Sequence, residues 1–190
     1  FCGLIGALLV AGAQAQTTVV RIDPAAAQTD LSKATWLLED PDGKLTLADV
    51  QRPDNSSRFR LGSPSIGLSS SAWWLRLEVQ NMGEQVLTRW LDSGNRKLQE
   101  IDLFAPDASG IYQQQSGSSK LPFVQRPLPL PTFVFPIDLP PSLSATLFLR
   151  VRSTGTSPVV VVPKVWNPAD LQRQAQGDKV QWLLYVGMAI

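Results

Sequence analysis

The stretch Trp73-Trp74-Leu75-Arg76-Leu77-Glu78-Val79-Gln80 decides the fold class. Its side chains alternate with a period of two, the pattern of a strand that buries one face. Trp73, Leu75, Leu77 and Val79 fall on one side, and Trp74, Arg76, Glu78 and Gln80 on the other.

The same reading extends outward. Asn81-Met82-Gly83-Glu84 is a turn, and 86–91 reads as the return strand, with Leu87, Arg89 and Leu91 opposite Thr88, Trp90 and Asp92. Ile101 and Leu103 alternate with Glu100, Asp102 and Phe104, before a Pro106–Gly110 loop that closes a hairpin. Phe133, Phe135 and Ile137 group together, as do Leu147, Leu149 and Val151 against Phe148, Arg150 and Arg152. Val159–Val162 is a β-branched run. Thr18–Ile22 and Thr35–Leu38 read as strands, Asp40-Pro41-Asp42-Gly43 as a turn, and Leu45–Val50 as a short helix. Ser116–Pro131 holds many of the prolines and reads as a long crossover. About eight short strands, each with one apolar face, predict an all-β fold of two packed antiparallel sheets. A jelly roll is the expected version.

The two ends read differently. Leu4–Val10 is a short apolar run followed by Ala13-Gln14-Ala15, so residues 1–15 are expected to be the back half of a secretory signal peptide. Residues 16–166 form the domain. Asn167-Pro168 opens a helix over 167–179. The apolar run 180–190, with Trp182 and Tyr185 placed like an interfacial aromatic belt, is expected to begin a transmembrane helix.

Composition narrows the function. The 190 residues carry 17 Lys+Arg against 16 Asp+Glu, a net charge of +1, which speaks against a nucleic-acid partner. With no His there is no Ser-His-Asp or Cys-His nucleophile, and no imidazole metal site. The single Cys, Cys2, precludes an intrachain disulfide. Glu100 and Asp102 are paired acids of the kind a glycosidase uses, yet they equally suit plain surface charge, and the chain is expected not to be an enzyme.

Several segments in order carry a resemblance: Trp36-Leu37-Leu38-Glu39-Asp40, Leu45–Val50, Ala72–Leu77 with Asn81, Ile101-Asp102-Leu103-Phe104, Leu147–Val151 and Leu184–Met188. Together they resemble the type 2 extracellular sensor domain of bacterial seven-transmembrane receptors with diverse intracellular signalling modules. The resemblance implies a periplasmic jelly roll similar to carbohydrate-binding modules, in a receptor anchored in the inner membrane. It implies a ligand-sensing role, with carbohydrate or another small periplasmic molecule as ligand. Calcium is implied for some members.

Alternation assigns the candidate site to the side opposite the aliphatic sets. Sugars stack their C–H faces on aromatic rings while charged groups bond the hydroxyls. Trp74, Arg76, Glu78, Trp90, Arg150 and Arg152 are therefore the candidate ligand-binding residues, with Glu100, Asp102, Phe104 and Phe148 on the same side. Trp74→Ala and Arg76→Ala are expected to abolish a ligand response and leave the fold intact. No cofactor is expected, although Asp40 and Asp42 are candidate calcium ligands in a turn. Beyond the ligand, the expected contacts are the membrane, through the C-terminal helix, and a second copy or a partner receptor. The competing reading is a non-catalytic dimerisation module whose Leu121–Pro131 crossover supplies contacts.

Overall fold

The computed structural model describes residues 18–122 and 125–177. The segments read as signal peptide and membrane entry lie outside them. Strand β6 (Ala72–Asn81) is the decisive stretch, and it is the spine of a seven-stranded sheet. The order is β4 (Arg60–Leu61), β3 (Trp36–Asp40), β6, β11 (Ser144–Arg152), β8 (Glu100–Pro106) and β9 (Tyr112–Gly117), all antiparallel. β1 (Val20–Ile22) runs parallel to the far end of β6.

A four-stranded sheet lies opposite, in the order β10 (Val134–Leu139), β7 (Leu87–Asp92), β13 (Lys164–Trp166), β2 (Gln28–Asp30). β5 (Ser65–Leu68) and β12 (Pro158–Val160) form a small third sheet. The inner faces interlock. Leu75, Leu77, Val79, Ile101, Leu103, Leu147, Leu149 and Val151 from the larger sheet meet Leu91, Phe135, Ile137, Leu139 and Val165 from the smaller. The fold is mostly β, a sandwich with few helices, as the alternation predicts.

The return strand differs from the expectation. β7 is a strand of the predicted length, but it pairs with β10 and β13 and not with β6. The chain crosses between sheets at the turn after β6. The buried Asn81 holds that crossing: its Nδ2 donates to the Gln85 and Leu139 carbonyls at 2.8 and 3.0 Å, and its Oδ1 accepts from the Gly83 amide at 2.7 Å. Alternation reports which face a strand buries, not which sheet it joins.

The crossover's Leu128 and Leu130 pack on a third apolar cluster with Trp90, Val134, Trp166 and Leu171. Leu171 belongs to a helix over 168–177, which we call α3. Asn167 caps it: the Oδ1 accepts from the Ala169 amide at 3.0 Å. Among the described residues no helix is long and apolar enough to cross a membrane.

Candidate ligand-binding face

Register places the outward side chains of the seven-stranded sheet in rows. Trp36, Arg76, Phe148, Phe104 and Gln114 form one row. Leu38, Trp74, Arg150, Asp102 and Ser116 form the next, and Ala72, Arg152 and Glu100 a third. The face predicted from β6, β8 and β11 therefore exists as one surface.

Half of it is roofed. Residues 41–59 leave β3 and return over the sheet as a strap with two short helices, α1 (Leu47–Gln51) and α2 (Pro53–Ser56). Local sequence explains both. Thr46 caps α1 in a reciprocal box with Asp49, and Pro53 sits in the first turn of α2. The Thr46 hydroxyl, then its amide, hold the Asp49 carboxyl below the usual carboxylate range. Val50 and Phe59 from the strap bury Leu38, Trp74 and Phe148 in a second core, flanked by Trp36, Leu45, Leu47, Phe104 and Tyr112.

This corrects the expectation for Trp74. It faces away from the main core, as alternation requires, but it is fully buried. Its ring stacks on Phe104 at 5.5 Å. Phe148 meets Phe59 at 6.2 Å and Tyr112 at 6.0 Å. Trp74 thus shapes the face from below, and its removal would hollow the second core. The open part lies toward β8 and β9, where Phe104 and Tyr112 are half-buried beside the exposed Gln114 and Ser116.

The charged candidates divide. The buried Arg76 lies over the rings of Trp36 and Phe59, each 5.0 Å from its Cζ, with Glu78 Oε1 at 3.6 Å from Nε. Burial pushes its guanidinium below the ordinary value, and Glu78 offsets part of that. Arg150 reaches Glu100 and Asp102 with Nη1, both at 3.7 Å, and donates from Nη2 to the Gly43 carbonyl. Asp102 Oδ1 also accepts from Ser116 Oγ at 2.6 Å and Gln114 Nε2 at 3.2 Å. The two acids that read as a glycosidase pair share one guanidinium, which holds both carboxylates in place. Arg152 is exposed at the rim.

Trp90 lies elsewhere. It is on β7, in the other sheet, beneath α3 and the crossover. The six candidates therefore do not form one site: five share a face and Trp90 packs on the far side of the sandwich. Asp40 is buried, and its two oxygens accept from the Lys44 and Leu45 amides at 3.2 and 3.0 Å, while Asp42 is exposed. Among the described residues no three acidic, His or Cys side chains gather as cation ligands do.

Trp36, Phe59 and Tyr112 belong to the face but were not among the sequence candidates. Trp36 was findable, since it shares strand parity with Leu38. Phe59 lies in the strap, outside any strand period, and carries no such signal.

A family model described as 7TMR-DISM extracellular 2 matches residues 32–167. No curated protein matches. Among solved structures the chain is similar to a Bacillus thuringiensis Cry1Da tryptic core variant, at 13% identity and a TM-score of 0.36. That match covers 78% of this chain and 24% of that one. The family match spans the strap, β6 and both sheets except β1 and β2, so the chain belongs to the 7TMR-DISM extracellular 2 family, the extracellular sensor domains of membrane receptors.

Proposed function

We propose that this chain is the periplasmic ligand-sensing domain of a receptor in a bacterial inner membrane, with a jelly-roll variant of the sandwich. We propose further that it binds a carbohydrate-like ligand on the open part of the seven-stranded face and relays binding through α3 toward the membrane. One observation carries the reading: the half-buried Phe104, stacked on Trp74, is ringed by Asp102, Gln114, Ser116 and Arg150. An aromatic plate beside fixed acceptors and donors suits a sugar ring, whose C–H face stacks while its hydroxyls bond. Arg152 and Glu100 extend this polar rim. A glycan array followed by calorimetry tests it. Phe104→Ala should lower the melting temperature, because its ring packs on Trp74, and should abolish the best hit at temperatures where the variant is still folded; an array without hits would end the reading.

A second reading, a non-catalytic interaction module, is supported by three loops at one end of the sandwich. They carry Met82, Val86, Ile111 and Leu143, each more than half exposed. A mass in solution that rises with concentration and falls on Ile111→Ser and Leu143→Ser would favour it.

A further inference from the structure

Arg76 is the least satisfied charge on the face. It is 8% exposed, and a guanidinium taken that far from water needs acceptors for its N–H groups. Nη1 donates to Ser56 Oγ at 3.3 Å. Among the described residues Nε has no hydrogen-bond partner, and Glu78 Oε1 stands at 3.6 Å, which is ion-pair distance only. Nη2 makes no protein hydrogen bond there either, but unlike Nε it is not fully buried and keeps a face toward water. Trp36 and Phe59 offer π faces to the charge, but they do not accept in-plane N–H bonds.

The Nε–Nη2 edge left over is the one on which an arginine grips a carboxylate with two parallel bonds. We propose that this edge of Arg76 anchors the carboxylate of a small acidic ligand, which takes the place of Glu78 and lies against Trp36 and Phe59. The proposal rests on the sensing reading above and adds the charge class of the ligand. The side of Arg76 toward Trp74 is closed, because Trp74 is fully buried. The side toward Glu78 and its cross-strand neighbour Thr146 is only half-buried and forms the entrance. Ser56 and Phe59 touch the same guanidinium, so the strap feels whether the edge is occupied. A neutral sugar offers single hydroxyl bonds to this edge, whereas a sugar acid or another organic acid offers two charged ones.

The test titrates the 190-residue chain with D-glucuronate, D-glucose, acetate and inorganic phosphate, following heat and indole fluorescence. Glucuronate is expected to bind at least about tenfold more tightly than glucose, and acetate to compete with it. Acetate binding as tightly as glucuronate, with glucose weaker than both, would assign the source to simple organic acids. Arg76→Lys keeps the charge but not the fork, and should weaken glucuronate at least about tenfold. Glu78→Gln removes the competing carboxylate and should tighten it. Equal binding of glucuronate and glucose, tighter binding of phosphate than of either acid, or binding that survives Arg76→Lys overturns the anchor while leaving the sensing reading standing. No response to either acid at tens of millimolar also overturns it. If Arg76→Lys does not fold, Glu78→Gln decides: unchanged or weaker glucuronate binding overturns the proposal.

Discussion

Arg150 Nη2 donates to the carbonyl oxygen of Gly43 at 3.0 Å, joining positions 107 apart in the chain. The bond ties the middle of the seven-stranded sheet to the first turn of the strap. Gly43 can present its carbonyl there because its φ is +65, a left-handed conformation that favours glycine. From within the turn, the Gly43 amide donates to the Asp40 carbonyl at 3.1 Å, and the Asp40 carboxylate takes the Lys44 and Leu45 amides. The strap is held at its root by a turn that grips itself and by one arginine from the sheet.

Arg150→Ala should therefore cost stability beyond its surface position. It removes the Gly43 bond and leaves Glu100 and Asp102 without their shared cation. A loss of about 1–3 kcal/mol is expected in urea unfolding. Arg150→Lys should fall between, since it keeps the charge and not the fork. Unfolding curves for Arg150→Ala that match the wild type would remove Arg150 as the strap's anchor.

Trp74→Ala should unfold or severely weaken the domain. A fully buried ring stacked on Phe104 leaves a large cavity, worth about 3–5 kcal/mol. Any loss of ligand response in that variant is then a loss of fold. Thermal melting separates the two, because a Trp74→Ala protein that melts like the wild type would place the ring outside the core.

Gly117→Ala tests how tightly β9 closes over the sandwich. An added Cβ would stand 2.9 Å from Phe133 Cδ1 and 3.2 Å from Ile101 Cγ2, both side chains of the buried core. Overpacking of this kind costs about 1–3 kcal/mol. A melting temperature unchanged from the wild type would mean that Phe133 has room to move.

Acid should loosen the strap through Asp49. Its folded pKa lies below the ordinary value, chiefly because of the Thr46 hydroxyl bond and then the Thr46 amide. A depressed carboxyl stabilises the fold fully above the ordinary value of about 4 and loses that contribution as pH falls through the lower folded value. Proteolysis within 41–59 should rise over that acid window in the wild type. In Thr46→Ala it should already be raised near neutral pH, with a flatter acid limb. Identical pH profiles would show that the box does not hold the strap.

Much of the face was legible. The alternation in 73–80, 100–104 and 147–152 put Trp74, Arg76, Glu78, Arg150 and Arg152 on one side, where the register later places them. Trp90 was misplaced because β7 alternates just as well in the other sheet, and period two holds no information on partner strands. The strap's roof was not legible either. A short helix near 45–50 was, but its docking on Trp74 and Phe148 depends on Val50 and Phe59, which become neighbours of the sheet only after the chain folds back.

The sequence by itself determined the class of fold and the inward and outward sides of each long strand, because side-chain period is a local property of extended backbone. It also determined what the face is made of, aromatic rings with arginines and carboxylates and no histidine. Only the tertiary structure decided which of those side chains are reachable. Burial depends on what another segment lays over them. The strap turned Trp74 into core, left Phe104 half open, and brought Arg76 against two rings with one edge of its guanidinium unmatched.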